Sequence, residues 1–148
     1  MRFVFYVLAA IVVCFAVAAV YIRTAPIDVG EWHVDPETVT PPAASNFVLL
    51  VGPTAPQIDA VPLVVAGRIA AVAEAEGAVV QAGSPAEGFV TYVVRSRIMG
   101  FPDVVSIRLD PHEDGTRLNI FSRARYGYSD FGVNTARVQR WLTAARGE

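Results

Sequence analysis

The chain has 148 residues with 12 arginines and no lysine, 14 carboxylates, a formal net charge of −2, and 53% hydrophobic residues. That length holds one modest domain with accessories, and the acidic balance excludes general nucleic-acid binding, which needs a basic footprint. The single cysteine, Cys14, excludes an intramolecular disulfide and any cysteine-based metal centre.

Much of the apolar content lies in one place. Phe3 to Ile22 is twenty residues without a charge, proline or glycine, and at about 1.5 Å per residue it spans the ~30 Å hydrocarbon core of a bilayer. Tyr6 and Tyr21 lie near its ends, where aromatic rings favour the interface. A cleaved signal peptide would use Ala16-Val17-Ala18 as its small-x-small site. That site falls inside the apolar run with four more residues of the run after it, so residues 1–23 read as an uncleaved signal anchor. Cys14 reads as a small apolar residue of this span. Arg2 and the free N-terminus face Arg23, which Asp28, Glu31, Asp35 and Glu37 soon dilute. The positive-inside rule then places the N-terminus in the cytoplasm and the domain outside.

Residues 24–45 carry four prolines and four acids with little apolar periodicity and read as a tether over the domain or the membrane surface. Trp32 and His33 stand out in it, and Trp32 would either lie at the lipid interface or dock onto the domain. His33 and His112 are the only histidines, and two isolated histidines make no metal site.

Residues 46–148 read as the domain. A strand is expected over 47–51 and a helix over 59–76. That helix would have Asp59 as cap, Pro62 in the first turn, Gly77 after its end, and an apolar stripe of Leu63, Ile69, Val72 and Ala73. Four strands follow over 78–82, 89–98, 104–109 and 116–125, separated by turn signals at 83–85, 100–103 and 110–115. The last helix is expected over 131–145. Ser129 or Asp130 would cap it, with Val138, Trp141, Leu142 and Ala145 buried and the stripe extending back to Asn134 and Phe131. The order β-α-β-β-β-β-α, with short turns between consecutive strands, defines an α+β domain with an antiparallel sheet and helices packed on it.

Strand alternation separates the side chains sharply, since residues two apart share a face. Val90, Tyr92, Val94, Ile98, Val105, Ile107, Leu109, Leu118, Ile120 and Ala124 form one set. Arg95, Arg97, Arg108, Arg117, Arg123 and Arg125 fall opposite. Guanidinium forks suit phosphate and carboxylate, so one reading is an anion-binding face for a phospholipid headgroup, an acidic partner or a phosphorylated ligand. The other is a solvated outer face with local pairs to acids such as Asp103 and Asp110. Because arginine replaces lysine throughout, genomic composition lowers the weight each arginine carries.

The segments TYVVRSRIMGFPDVVSIRL (91–109) and SRARYGYSDFGVNTARVQRWL (122–142) resemble a widespread bacterial family, also found in plastid-bearing organisms, that is known only as a domain of unknown function. The shared features are Arg-Ser-Arg, a Pro-Asp turn, and Ser-Arg-x-Arg-x-Gly-x-Ser-Asp-x-Gly-Val-Asn opening the final helix. The resemblance covers about residues 46–145, and WHVDP (32–36) is similar to the membrane-anchored members of some proteobacteria. It implies no activity, cofactor or substrate.

No catalytic set is assigned. Ser122, Ser129 and Asp130 lack a base within reach, because His112 lies a ten-residue strand away. Asp103 and Asp130 both lie at turns and would serve as a carboxylate pair for acid/base work if the strand register brings those turns together. Tyr126, Gly127, Ser129, Asp130 and Asn134 read as a structural corner between strand and helix. The leading expectation is a membrane-anchored, non-catalytic binding module or an accessory subunit of a membrane complex, using Arg95, Arg97, Arg108, Arg123 and Arg125. It would have no cofactor or metal, and its partners would be the bilayer through residues 3–22 and an anionic lipid or a membrane-protein complex. The competing class is a hydrolase or transferase acting on a phosphorylated or acylated substrate through Asp103, Asp130 and the arginines.

Overall fold

The computed structural model of the protein describes residues 2–113 and 115–148. Helix α1 (Arg2–Thr24) buries none of its residues and is long and apolar enough to cross a membrane by length and composition. A single turn, α2 (Val29–Trp32), is capped by the Asp28 carboxylate. Next come β1 (Phe47–Leu50), β2 (Gln57–Ile58), α3 (Pro62–Ala75), β3 (Val79–Ser84), β4 (Phe89–Arg95), β5 (Pro102–His112), β6 (Gly115–Ala124) and α4 (Val133–Arg146). Among the described residues these strands form one antiparallel sheet in the order β1-β6-β5-β4-β3. Strand β2 also pairs with β6, at the end away from β1.

The class is the expected α+β, and the alternation sorts the core as read except at Ile98, which is exposed, and Ala124, which is only half-buried. Val90, Tyr92 and Val94 of β4, Val105, Ile107 and Leu109 of β5, and Leu118 and Ile120 of β6 are buried beneath two helices. Helix α3 contributes Val65, Ala66, Ile69 and Ala73, and α4 contributes Val138, Trp141, Leu142 and Ala145. Trp141 meets Tyr92 edge-on at 5.5 Å, a favoured aromatic geometry.

Four local expectations are corrected. Helix α3 starts at Pro62, and its cap position is Val61, which makes no side-chain capping bond, so Asp59 does not cap it. Leu63 is exposed, because with the helix phased on Val65, Ile69 and Ala73 it points to the solvent side. Strand β4 ends at Arg95. The Ser96 amide bonds the Phe101 carbonyl and the Gly100 amide bonds the Ser96 carbonyl, which puts Arg97 and Ile98 into a turn and off the strand face. Gly100 has φ 74°, and a Cβ there would collide with Arg23, so this turn needs glycine both for its backbone and for close approach to the end of α1. Helix α4 starts at Val133 with Gly132 at its cap position, so neither Ser129 nor Asp130 is the cap residue, and Phe131 is exposed at φ 53° and takes no part in the buried stripe.

Residues 25–40 run across the sheet face opposite the helices. Ile27 is buried against Val93 and Val104, and Trp32 packs onto the same cluster. The sheet is therefore covered on both sides, by helices on one and by a strap of chain on the other.

Candidate functional site

The strap determines which arginines remain available. Arg95 donates to the carbonyls of Ile22 (3.0 Å), Ala25 (2.9 Å) and Gly100 (3.2 Å). Arg108 is ringed by Asp110 at 3.0 Å, by Asp35 and by Glu37 at 3.8 Å, and the Asp110 and Asp35 carboxylates hold its guanidinium firmly charged. Asn119 donates to the same acids, to Asp110 at 2.9 Å and Glu37 at 3.2 Å. Arg117 lies beside the His112 ring, 3.1 Å from Nδ1. Arg97 is exposed in the turn after β4. Of the five arginines proposed to bind an anion, Arg95 and Arg108 are thus held by the protein's own oxygens, and Arg97 lies off the sheet.

Arg123 and Arg125 are also held by neutral oxygens of the protein, but unlike the other three they line a cavity. Arg123 is buried, with its guanidinium 4.3 Å from the Phe121 ring centroid and 5.2 Å from that of Trp32. It donates to Ser106 Oγ at 3.2 Å, to the Phe121 carbonyl at 3.2 Å and to the Trp32 carbonyl. These acceptors are all neutral, and burial pulls its pKa down to about 10. Arg125 donates to the Pro26 carbonyl at 2.7 Å and lies over the Tyr126 ring. Among the described residues, no carboxylate oxygen comes within 4.0 Å of either guanidinium's nitrogens. Both arginines line a cavity of about 520 Å³ between strap and sheet, walled by Trp32, Val39, Pro42 and Phe121, with Glu31 also on its lining.

His33 and Ser106 hold the strap in place. His33 Nδ1 is 2.8 Å from Thr91 Oγ1, the ring stacks on Phe89 at 4.0 Å, and Thr91 bonds Ser106 at 3.1 Å. Among the described residues no three metal-ligating side chains cluster.

The segment 122–134 makes a different set of contacts. Ser122 Oγ donates to Asn134 Oδ1, which also accepts from Arg137 at 3.0 Å, and Asn134 Nδ2 donates to the Asn46 carbonyl at 3.2 Å. Asn46 Nδ2 closes the corner on the Gly127 carbonyl at 2.6 Å. Arg137 meets Asp103 at 2.8 Å with both side chains largely buried. Asp130 accepts from the amides of Gly132 and Asn134, as a capping carboxylate does, and it ion-pairs with neither Arg123 nor Arg125. Burial pushes its pKa up, but the amide bonds outweigh this and hold it below the usual value.

Asp130→Ala is expected to cost about 0.5–2 kcal/mol at neutral pH. A depressed carboxylate contributes fully above its unfolded pKa of about 3.9, and that contribution is lost as pH falls through the lower folded value. Thermal unfolding of both proteins from pH 7 to pH 2.5 should therefore show their melting temperatures converging only below about pH 4.

Asp103 and Asp130 line a second cavity of about 370 Å³, together with Phe101, Tyr126, Ser129 and Phe131. Burial raises the Asp103 pKa and the Asp130 charge adds to this, against the pull of Arg137. The strand arginines lie on the other face of the sheet, so the two carboxylates come together without them. His112 sits in the hairpin at the opposite end of β5 and β6 from Ser129 and Asp130, and Ser122 is buried on Asn134, so no serine-histidine pair forms.

Sequence reasoning missed Arg137 and Asn46, and of its two readings of Trp32 the docking onto the domain is the one the structure shows. Arg137 lies three residues after Asn134 and four before Trp141, on the buried side of α4, and that spacing was its available signal.

This architecture is a small α+β domain wrapped by its own N-terminal strap and preceded by an apolar helix. A family model described as a protein of unknown function (DUF1499) matches residues 33–144, and the chain belongs to this family. The match begins at His33, so it takes in the strap residues His33, Asp35 and Glu37 that contact the sheet as well as the 122–134 segment. No curated protein and no solved structure matches the chain.

Proposed function

We propose that this protein is a membrane-anchored binding module for a small anionic ligand. Helix α1 would span a bacterial inner membrane with its N-terminus in the cytoplasm, placing the domain on the periplasmic side. The ligand would carry a phosphate or carboxylate on an apolar body and would sit in the 520 Å³ cavity, its anion on Arg123 and Arg125 and its body on Trp32, Phe121, Val39 and Pro42.

The observation that carries this reading is Arg123. A buried charge is retained when it is paired, because desolvation costs several kcal/mol per ion. Arg108 and Arg137 each have carboxylates within ion-pair distance, whereas Arg123 has neutral acceptors only and lines an open cavity. An anion entering there supplies the missing counter-charge in a low-dielectric, aromatic-walled site.

The test is thermal unfolding of the full chain in mild detergent with inorganic phosphate, citrate or dihexanoylphosphatidylglycerol. A ligand at a hundred times its Kd stabilises by about 2.7 kcal/mol, a shift of several degrees for a domain of this size. A saturable rise with at least one of these anions, reduced tenfold or more in apparent affinity by Arg125→Gln, is the expected result. Equal melting temperatures in all three, or the same shift in Arg125→Gln, would contradict it. A response to the short-chain lipid alone identifies a headgroup ligand, and a response to phosphate identifies the free anion.

A second reading, hydrolysis or transfer by Asp103 and Asp130, draws on their shared cavity. It is the weaker one, because Asp103 is engaged by Arg137 and Asp130 by backbone amides, and no arginine lines that cavity.

A further inference from the structure

The two ends of the sheet differ in character. At one end, around Gln57, Asp59, His112 and Glu113, the surface is polar. At the other, the 96–101 turn and the 125–131 corner present large apolar side chains to solvent: Phe131 is 97% exposed, Ile98 80% and Tyr128 73%, with Phe101 and Tyr126 partly exposed and in edge contact with each other. Phe131 holds a left-handed backbone conformation (φ 53°), which is uncommon outside glycine, asparagine and aspartate. A fully exposed phenylalanine in a strained position gains nothing from packing within the domain.

This apolar end is also where α1 finishes. Arg23 donates to the carbonyls of Arg97 (2.9 Å) and Ile98, and Arg95 donates to those of Ile22 and Ala25. These bonds clamp the last turn of α1 to the 96–101 turn. The apolar run ends at Ile22, so in a bilayer Arg23 marks its surface, and Ile98 stands one hydrogen bond away from that level. Aromatic side chains favour this depth, and arginines such as Arg23 and Arg97 are drawn to anionic headgroups there.

We infer that the end of the domain formed by Ile98, Phe101, Tyr126, Tyr128 and Phe131 docks on the headgroup layer of the same bilayer that α1 spans, so that the domain lies on the membrane and does not swing from a free tether. This rests on α1 being a membrane anchor. The occupant of the apolar surface is lipid, because the surface is continuous with the end of the anchoring helix and fixed to it by arginine-carbonyl bonds.

The full chain is reconstituted in nanodiscs of phosphatidylcholine with phosphatidylglycerol, and an environment-sensitive thiol probe is placed at one position at a time. The positions are the native Cys14, Phe131→Cys in a Cys14→Ser background, and Glu87→Cys in the same background. Glu87 lies at the polar end of β4, and both substituted positions are exposed, so neither disturbs the core. The expected result is loss of signal at Cys14 with lipids quenched deep in the acyl region. Position 131 should show a blue-shifted emission and loss of signal with lipids quenched near the headgroup, and position 87 neither. If position 131 behaves like position 87 while Cys14 is quenched, the anchor stands and the docking is wrong. If Cys14 is not quenched, the anchor falls and the docking with it.

Discussion

Arg137→Met should destabilise the domain by about 3–5 kcal/mol, the cost of removing one partner from a buried ion pair. Arg137 and Asp103 are 2.8 Å apart with side chains only 7% and 14% exposed. The substitution leaves the Asp103 carboxylate without its counter-charge, close to the negative Asp130. It also removes the Arg137 bond to Asn134 Oδ1, on which Ser122 depends as well. A loss of this size is a large fraction of the 5–15 kcal/mol that holds a typical domain together, and urea unfolding at pH 7 would measure it. The double variant Arg137→Met with Asp103→Leu should recover a large part of the loss, since replacing both partners of a buried pair is often close to neutral.

The same substitution at Arg123 is expected to behave in the opposite way. Arg123→Met strands no counter-ion, because all three acceptors of Arg123 are neutral. The hydrogen bonds it gives up, about 1.5–3 kcal/mol each for a charged donor, are offset by relief of a desolvation penalty of several kcal/mol. The unliganded Arg123→Met protein should therefore lose less stability than Arg137→Met, and its stability should no longer respond to phosphate, citrate or short-chain phosphatidylglycerol. A loss comparable with that of Arg137→Met would identify Arg123 as a structural clamp on Trp32. Two buried arginines in one small domain thus separate by the company they keep: one has a carboxylate, and the other has a cavity.

The core side of the sheet was legible because period-two alternation is written into β4, β5 and β6. Val90, Tyr92, Val94, Val105, Ile107, Leu109, Leu118 and Ile120 all pack under the helices. Alternation also placed Arg95, Arg108 and Arg123 on one face, but it says nothing about what covers that face. The tether was read as lying over the domain or the membrane, but its contacts were unreadable for a physical reason. The strap holds the arginines largely through the main-chain carbonyls of Ala25, Pro26 and Trp32, and every residue type offers that group. Leu63 and Phe131 were misplaced because helix phase at a terminus depends on where the first turn starts, and the apparent caps Asp59 and Ser129 pointed to starts earlier than those the chain adopts. The Asp103–Asp130 cavity depended on the register of β5 against β6, which brings Asp103 opposite Ala124 at the corner. No single-strand pattern encodes that register.

The most direct measurement is on the guanidinium groups themselves. In ¹⁵N–¹H spectra of the arginine Nε–H groups of the full chain in micelles, titration with dihexanoylphosphatidylglycerol and with inorganic phosphate is followed signal by signal. Saturable shifts of Arg123 and Arg125 with at least one of the two anions, with Arg108 and Arg137 unmoved on their carboxylates, are the predicted result. Unmoved Arg123 and Arg125 signals, or shifts of all the arginines together in proportion to added anion, would contradict a site in this cavity.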